Sequence, residues 1–286
     1  MASGNMKDIK RRVKSVESTM QITKAMELVA SSKLRKAKQK AEDARPFFEA
    51  QYELMCKIAS ETEGFSTVFT RRREIKNRLF IVVAGDRGMA GGYNANILKL
   101  VQQAHAADAE KPKIIAIGKK AVEYFKKHGY DVVAEYPGLA ENIKTADAAD
   151  ISMLAIDMFT KGEVDEIQIF YTQFISALVQ TATQMGIVPV TPPVGTAVPV
   201  SKAGTTYDPS PEAVFNRVIP KLVASIIMCA VIESYASEQG ARRTAMENAT
   251  DNAEEMIGTL SLLYNRARQE KITNELNEIV SGANAL

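Results

Sequence analysis

The sequence predicts an α/β fold carried on a long antiparallel coiled coil that its two ends make with each other. Three patterns lead to this. Along residues 6–48, steps of three and four connect Met6, Ile9, Val13, Val16, Met20, Thr23, Glu27, Ala30, Leu34, Ala37, Ala41, Ala44 and Phe48. That is the period of a helix with a single apolar seam. Along residues 210–286 the same steps connect Met246, Ala249, Ala253, Ile257, Leu260, Tyr264 and Ala267, with Asp, Glu, Arg, Asn and Gln on the other faces. Between the two ends, short aliphatic runs alternate with helical ones, as in a parallel sheet with crossover helices.

The N-terminal helix is expected to start by Lys7 and to run to about Glu63, where Gly64 is a plausible stop. Only Thr23 and Glu27 interrupt its seam, and the alanines of its second half let another helix approach closely. Pro46 should kink or divide it. A polar, basic connection over residues 65–77 leads to Leu79-Phe80-Ile81-Val82-Val83, which reads as a strand buried on both faces. A glycine-rich loop from Gly85 to Asn94 follows. Helices are expected at residues 95–107, 119–128 and 146–160, and strands at 113–117 and 131–134. The result is a central Rossmann-like β-α-β-α-β domain with a mostly parallel sheet. Residues 166–171 and 178–185 read as an antiparallel pair at the sheet edge. The Pro- and Gly-rich residues 186–207 read as a linker. Pro220 should bend the C-terminal helix or start it. At 1.5 Å per residue that helix would be roughly 110 Å long, so it needs a partner along its seam and something for its far end to enter. The division is therefore an N-terminal helix (1–64), a central body (65–208) and a C-terminal helix (209–286).

Of the 286 residues, 46% are hydrophobic and 24% charged, which excludes wholesale disorder. Residues 1–50 hold twelve Lys or Arg against six Asp or Glu, and Arg71, Arg72, Arg73, Lys76 and Arg78 form a second basic cluster. A basic rod suggests an acidic partner. Two cysteines, Cys56 and Cys229, sit among apolar residues and make no disulfide framework. No secretory signal pattern opens the chain, and the apolar run at residues 222–232 is too short to span a bilayer.

Chemistry has few candidates. The loop at Gly85 stands where backbone N–H groups cradle phosphates, after a strand and before a helix. It lacks the Gly-Lys-Ser/Thr ending of a P-loop, and its spacing misses the dinucleotide fingerprint. The preferred reading is a tight turn that needs positive φ. His105 and His128 lie away from any Cys or carboxylate cluster with metal spacing, and His128 before Gly129 reads as a helix end. No nucleophile motif is present. No catalytic residue, cofactor or metal is expected. The run Lys33, Arg35, Lys36, Lys38 and Lys40 leaves a nucleic-acid-binding coiled coil as the alternative, although it spreads around the helix without interleaved aromatics.

The segment from Ile22 to Leu34, with Thr23-Lys24-Ala25-Met26-Glu27 at its start, resembles the N-terminal helix of the gamma subunit of F-type ATP synthases. So does the loop Asp86-Arg87-Gly88…Gly91-Gly92-Tyr93-Asn94. The C-terminal run Ala249-Thr250-Asp251-Asn252-Ala253, Tyr264-Asn265-Arg266-Ala267-Arg268-Gln269 and Ile272-Thr273…Glu275…Glu278…Gly282-Ala283 is similar to that family's signature. The resemblance covers essentially the whole chain.

It implies a central rotor shaft of the F1Fo complex, without catalytic residues of its own. The shaft stands in a ring of three alpha and three beta subunits and meets epsilon and the membrane c-ring below. It would serve ATP synthesis and hydrogen ion transport at the cytoplasmic face of a bacterial cell membrane. The absence of a transit peptide before Met1 fits that expectation. By the same resemblance, Gln269, Thr273 and Glu275 form the upper contact with beta. Arg242 and the segment around Met26 face an acidic loop of beta. Ala283 and Leu286 belong to the apolar tip, and Tyr207 to the foot near the membrane ring. The family usually has Leu-Cys where this chain has Met89-Ala90, and the cysteine-bearing insertion of the chloroplast type is missing. Thiol regulation is therefore not expected.

Overall fold

A computed structural model of the chain describes residues 6–61, 67–71, 73–106, 110–190 and 208–283. Its elements are α1 (Met6–Glu61), β1 (Arg78–Val83), α2 (Tyr93–Ala104), β2 (Lys113–Ile117), α3 (Lys119–Lys127), β3 (Val132–Tyr136), α4 (Thr145–Thr160), β4 (Glu166–Phe174), β5 (Gln180–Val188) and α5 (Pro211–Ala283). They form two compact units. One joins Met1–Ala30 to Arg242–Leu286, and the other is Ser31–Ala241.

In the first unit the predicted seams are the buried ones. Met6, Ile9, Val13, Val16, Met20, Thr23, Glu27 and Ala30 of α1 are buried or half-buried while their neighbours are largely exposed. The same holds on α5 for Met246, Ala249, Ala253, Ile257, Leu260, Tyr264 and Ala267. The polar break at Thr23 is answered across the seam, where its hydroxyl lies 2.8 Å from that of Thr250. The Thr23 hydroxyl also lies 3.0 Å from the Met20 carbonyl, and that of Thr250 lies 2.9 Å from the Met246 carbonyl. Two hydroxyl protons must serve three contacts, so one threonine donates to the other and the second donates to its own helix. A single buried polar layer of this kind penalises any other register of the two helices.

The second unit is a five-stranded sheet in the order β3-β2-β1-β4-β5. Strands β3, β2, β1 and β4 are parallel, and β5 pairs antiparallel with β4. Alternation along the strands separates two cores. Phe80, Val82, Ile114, Ala116 and Phe170 pack with Ile97 and Val101 of α2 and Phe125 of α3. Leu79, Ile81, Val83, Ile115, Ile167 and Ile169 pack with Ile151 and Phe159 of α4 and with Ile219, Val223, Ile227 and Val231 of α5. Both faces of the sheet are covered, which explains the unbroken aliphatic run of β1.

Three expectations change. Pro46 does not divide α1. It sits on the exposed side, where the carbonyl that loses its partner can meet water. Pro220 lies inside α5 and does not start it, because Phe215 and Ile219 before it are buried in the core. The linker read from Gly186 onward begins later, since Gly186, Ile187 and Val188 belong to β5 and the last two are buried. Residues 191–207 of that linker, with Gly64 and Arg72, lie outside the described residues. By composition α5 holds a stretch within Glu212–Ser281 apolar enough to cross a bilayer, with mean hydropathy 1.7. Half of that window is buried inside the protein, as suits a core helix.

Candidate interaction surface

In a doubly wound sheet, ligands bind beyond the carboxyl ends of the strands where the winding reverses. Here α2 and α3 lie on one face and α4 on the other, so the reversal falls between β1 and β4. That crevice is filled by α5. A Cβ built on Gly85 would lie 2.9 Å from the Glu238 side chain, so the chain's own carboxyl group stands at the mouth of the glycine-rich loop. Glu238 is buried. The loop closes on itself: the Gly85 N–H donates to Asn94 Oδ1 at 2.8 Å, and Asp86 Oδ1 accepts from the Lys119 and Gly138 N–H groups at 2.9 and 2.7 Å. The positive φ angles fall on Gly91 and Met89, at 55° and 59°, and not on Gly88 or Gly92. The loop is the turn that its sequence suggested, with a methionine taking one of the positions that glycine usually fills.

Beside the Gly85 loop, α5 also completes the sheet. The pairing of β1 with β4 ends at Val82 and Phe170. Two residues on, the Thr172 N–H donates to Ser234 Oγ at 2.9 Å, and the Thr172 carbonyl accepts from Ser237 Oγ at 3.0 Å. All three residues are buried, so unpaired groups here would cost about 1–3 kcal/mol each. The Thr172 hydroxyl itself is buried without a hydrogen-bond partner. Thr172→Val keeps the shape and removes that orphan. It should raise stability by about 1 kcal/mol, read as a higher urea midpoint with an unchanged slope.

On the α5 surface near Tyr171 lie two further titratable groups. Burial is the main cause that holds the Cys229 thiol up at about 11 and the Tyr171 phenol up at about 12, with the Glu233 carboxyl adding to both. Both are neutral at pH 7, and Cys229 is not a reactive thiolate. Burial also raises Glu233 above its ordinary 4.5, against the opposing pull of Arg45 and the Phe174 N–H. One of its oxygens has no hydrogen-bond partner. A carboxyl raised in the folded state contributes stability that is fully present below 4.5 and lost as the pH rises through its folded value. Glu233→Gln should therefore be more stable than the parent at neutral pH and lose this part of the pH dependence. Denaturant titration across the acid range reads both.

Neither histidine is poised for chemistry. His105 ends α2 and lies 2.7 Å from the Tyr130 hydroxyl, and His128 ends α3 with Nδ1 donating to the Tyr124 carbonyl at 2.7 Å. No group of three His, Cys, Asp or Glu that could hold a metal occurs among the described residues. The fold uses much of the basic charge. Lys33 pairs with Glu141 at 2.6 Å and Arg78 with Glu166 at 2.9 Å, while Arg73 lies 4.9 Å over the Phe159 ring.

What the fold leaves open lies on the two long helices. In the first unit every residue from 268 to 281 of α5 is exposed. Ile272, Leu276, Ile279 and Val280 recur at helical spacing there, between 48% and 68% exposed. Leu262, Gln269 and Leu276 are two turns apart, so Gln269 and Thr273 lie in the same stripe. The Thr273 hydroxyl donates back to the Gln269 backbone carbonyl at 2.9 Å, and both residues are exposed. Glu275 borders the stripe on the edge opposite Thr273, three residues from Ile272 and four from Ile279, and pairs with Lys271 at 3.5 Å. Ile22, Leu28 and Val29 of α1 are also exposed. Met26 is half-buried, and Arg242 is only 8% exposed, so its guanidinium is no open surface charge. The structure thus groups Gln269 with Thr273 and keeps Glu275 and Arg242 apart from them. The exposed aliphatic residues escaped the sequence reading, although their spacing was available as a signal. Ala283 ends α5, and Leu286 and Tyr207 lie outside the described residues. In the second unit an apolar groove of about 610 Å³ lies between α1, α4 and α5, with Phe47 and Met153 exposed at its rim.

A family model described as ATP synthase matches residues 5–286. The chain is 50% identical over 284 residues to the ATP synthase gamma chain of Ruminococcus albus, covering 98% of each. It is 43% identical over 301 residues to the ATP synthase gamma chain, sodium ion specific, of Acetobacterium woodii, covering 99% of each. Among solved structures it is similar to a chain of the mitochondrial ATP synthase of Euglena gracilis, with a TM-score of 0.69 and 18% identity over 99% of this chain and 95% of that one. It is also similar to one in the central stalk and c-ring of the Tetrahymena thermophila enzyme, with a TM-score of 0.62 and 22% identity over 80% of this chain and 99% of that one. These two likenesses bear on the fold. Matched along its whole described length, and half identical to one relative, the chain belongs to the ATP synthase gamma chain family.

Proposed function

We propose that this chain is the central rotor shaft of an F1Fo ATP synthase, a non-catalytic subunit that carries torque between a membrane ion-driven ring and an alpha3beta3 head. The observation that carries this reading is the end of α5, exposed on every side over residues 268–281 yet lined by Ile272, Leu276, Ile279 and Val280. A single helix with such a stripe is stable in water only when something encloses it. An alpha3beta3 ring with an apolar sleeve would do so. The closed crevice at Gly85 supports a non-catalytic role, because α5 takes the place a nucleotide would need.

In this reading Gln269, Thr273 and Glu275 form the upper contact with beta, Ala283 and Leu286 the tip, and Tyr207 the foot near the c-ring. Arg242 and the segment around Met26 face the acidic loop of beta, Met26 with a half-exposed side chain and Arg242 with a buried one. The apolar groove rimmed by Phe47 and Met153 supports a lasting partner on the second unit, for which epsilon is our candidate. The residue blocks 1–64, 65–208 and 209–286 then supply shaft, body and shaft again, with residues 31–61 of α1 and 211–241 of α5 built into the same compact unit as the sheet. The complex would lie at the cytoplasmic face of a bacterial membrane. One asymmetric shaft favours a different beta conformation at each angle, so the three catalytic sites pass through their states in turn.

The test is reconstitution with alpha and beta subunits of the same source. The full chain should give a stoichiometric complex that hydrolyses ATP, and a chain ending at Asn265 should assemble or turn over less well. A full chain that neither binds nor changes hydrolysis would end the proposal.

A further inference from the structure

We propose that Ser234 and Ser237 of α5, bonded to the two backbone groups of Thr172, are the lock that fixes the turning angle of α5 on the sheet, so that torque crosses between helix and body there. The inference rests on the rotor reading and names the residues that would bear its load.

Most of the contact between α5 and the sheet is aliphatic, through residues such as Ile227 and Val231. Apolar contact is non-directional and resists rotation only through shape. Hydrogen bonds differ, because they weaken steeply off their axis. At Thr172, β4 has outrun its partner β1, and its N–H and C=O are taken by two serines three residues apart on one face of α5. One serine accepts at 2.9 Å and the other donates at 3.0 Å. Opposite polarity at fixed spacing defines one angle and one height for the helix. A one-residue slip turns both hydroxyls away.

Two glycines bring the chain close around this point. A Cβ on Gly85 would meet the Glu238 carboxyl at 2.9 Å, and a Cβ on Gly240 would meet the Gln180 amide at 3.2 Å and the Ala177 carbonyl at 3.4 Å. Between these residues α5 is wedged against the end of β1 on one side and the β4–β5 hairpin on the other. Ser234 and Ser237 are fully buried, and no proline interrupts α5 beyond Pro220, so an angle set here is carried along one continuous helix.

The experiment uses the assembled complex, with a bead attached through an added cysteine at the exposed Lys127 of α3 and the head arrested by a non-hydrolysable nucleotide. The readout is the angular spread of the bead. The double variant Ser234→Ala, Ser237→Ala keeps volume and removes both bonds, and its angular variance should rise by about two-fold or more, while unloaded ATP hydrolysis stays near that of the parent. Ser225→Ala should leave the spread unchanged, because that hydroxyl bonds only to Lys221 within α5. A double variant with the parent's spread overturns the proposal. If the double variant does not fold, Ser237→Ala alone is measured against the same two outcomes. A second readout uses the isolated full chain, in which Ser234→Ala should speed amide exchange at Thr172 by about ten-fold, and unchanged exchange would show that no lock exists there. If the parent complex itself does not assemble or hydrolyse ATP, the rotor reading has failed, and the exchange result still decides whether the lock is present.

Discussion

Replacing Leu276 and Ile279 together by aspartate is expected to leave the isolated chain as stable as the parent and to prevent its assembly with alpha and beta subunits. Both side chains are exposed, at 57% and 68%, so charging them removes no internal contact. Substitutions at such sites usually change stability by less than about 0.5 kcal/mol. In an apolar sleeve the same carboxylates would lose their hydration without a partner, at a cost of several kcal/mol. Since about 1.4 kcal/mol is tenfold in affinity, assembly should weaken by more than about 100-fold. Thermal unfolding of the chain alone and gel filtration of the mixture separate the two effects. Equal assembly by parent and variant would show that the end of α5 is not enclosed.

The second large effect is internal. Gly118→Ala is expected to destabilise the second unit by about 4 kcal/mol or more, a large part of an ordinary domain's stability. Gly118 joins β2 to α3 at φ 92°, where a Cβ would lie 2.0 Å from the Ala84 carbonyl oxygen and 2.8 Å from its carbon. The obstruction is backbone, so no rotamer change relieves it. Ala84 in turn donates its N–H to the Ile117 carbonyl at 2.9 Å, which ties the two segments together. Gly129→Ala is the control. It has a similar φ of 67° but nothing within 4 Å, so it should cost only the backbone strain of about 1–2 kcal/mol. Urea midpoints of the two variants, measured side by side, test the distinction.

Much of this fold was legible because its strongest signals are periodic. The seams of α1 and α5 repeat over many turns, and each residue placed on them is buried or half-buried. Strand β2 was bounded correctly because charge, glycine and proline flank its aliphatic run. Pro46 as a divider of α1 and Pro220 as the start of α5 were wrong for the same local reason that makes proline informative. Pro46 and Pro220 oppose a helix nearby, but α1 and α5 are held by packing along their length. Gly186 misled likewise, because Ile187 and Val188 after it fill the core. What sequence could not show is contact between distant segments. Ser234 and Ser237 resemble any small polar residues in a helix until Thr172 is placed beside them. Glu238 gives no sign in sequence that it faces Gly85. For the interaction surface, the family resemblance named Gln269, Thr273 and Glu275, while geometry added the aliphatic stripe around them and showed Arg242 to be buried.

Rotation of the shaft is tested most directly by watching it. The alpha3beta3 head, assembled with this chain, is fixed to a surface, a bead is attached to the body through an added cysteine at Lys127, and ATP is supplied. The shaft reading predicts turning in one direction only, with three equally spaced pauses per revolution and a rate that follows ATP concentration. A bead that stays still or wanders in both directions, on complexes that hydrolyse ATP at full rate, would contradict it.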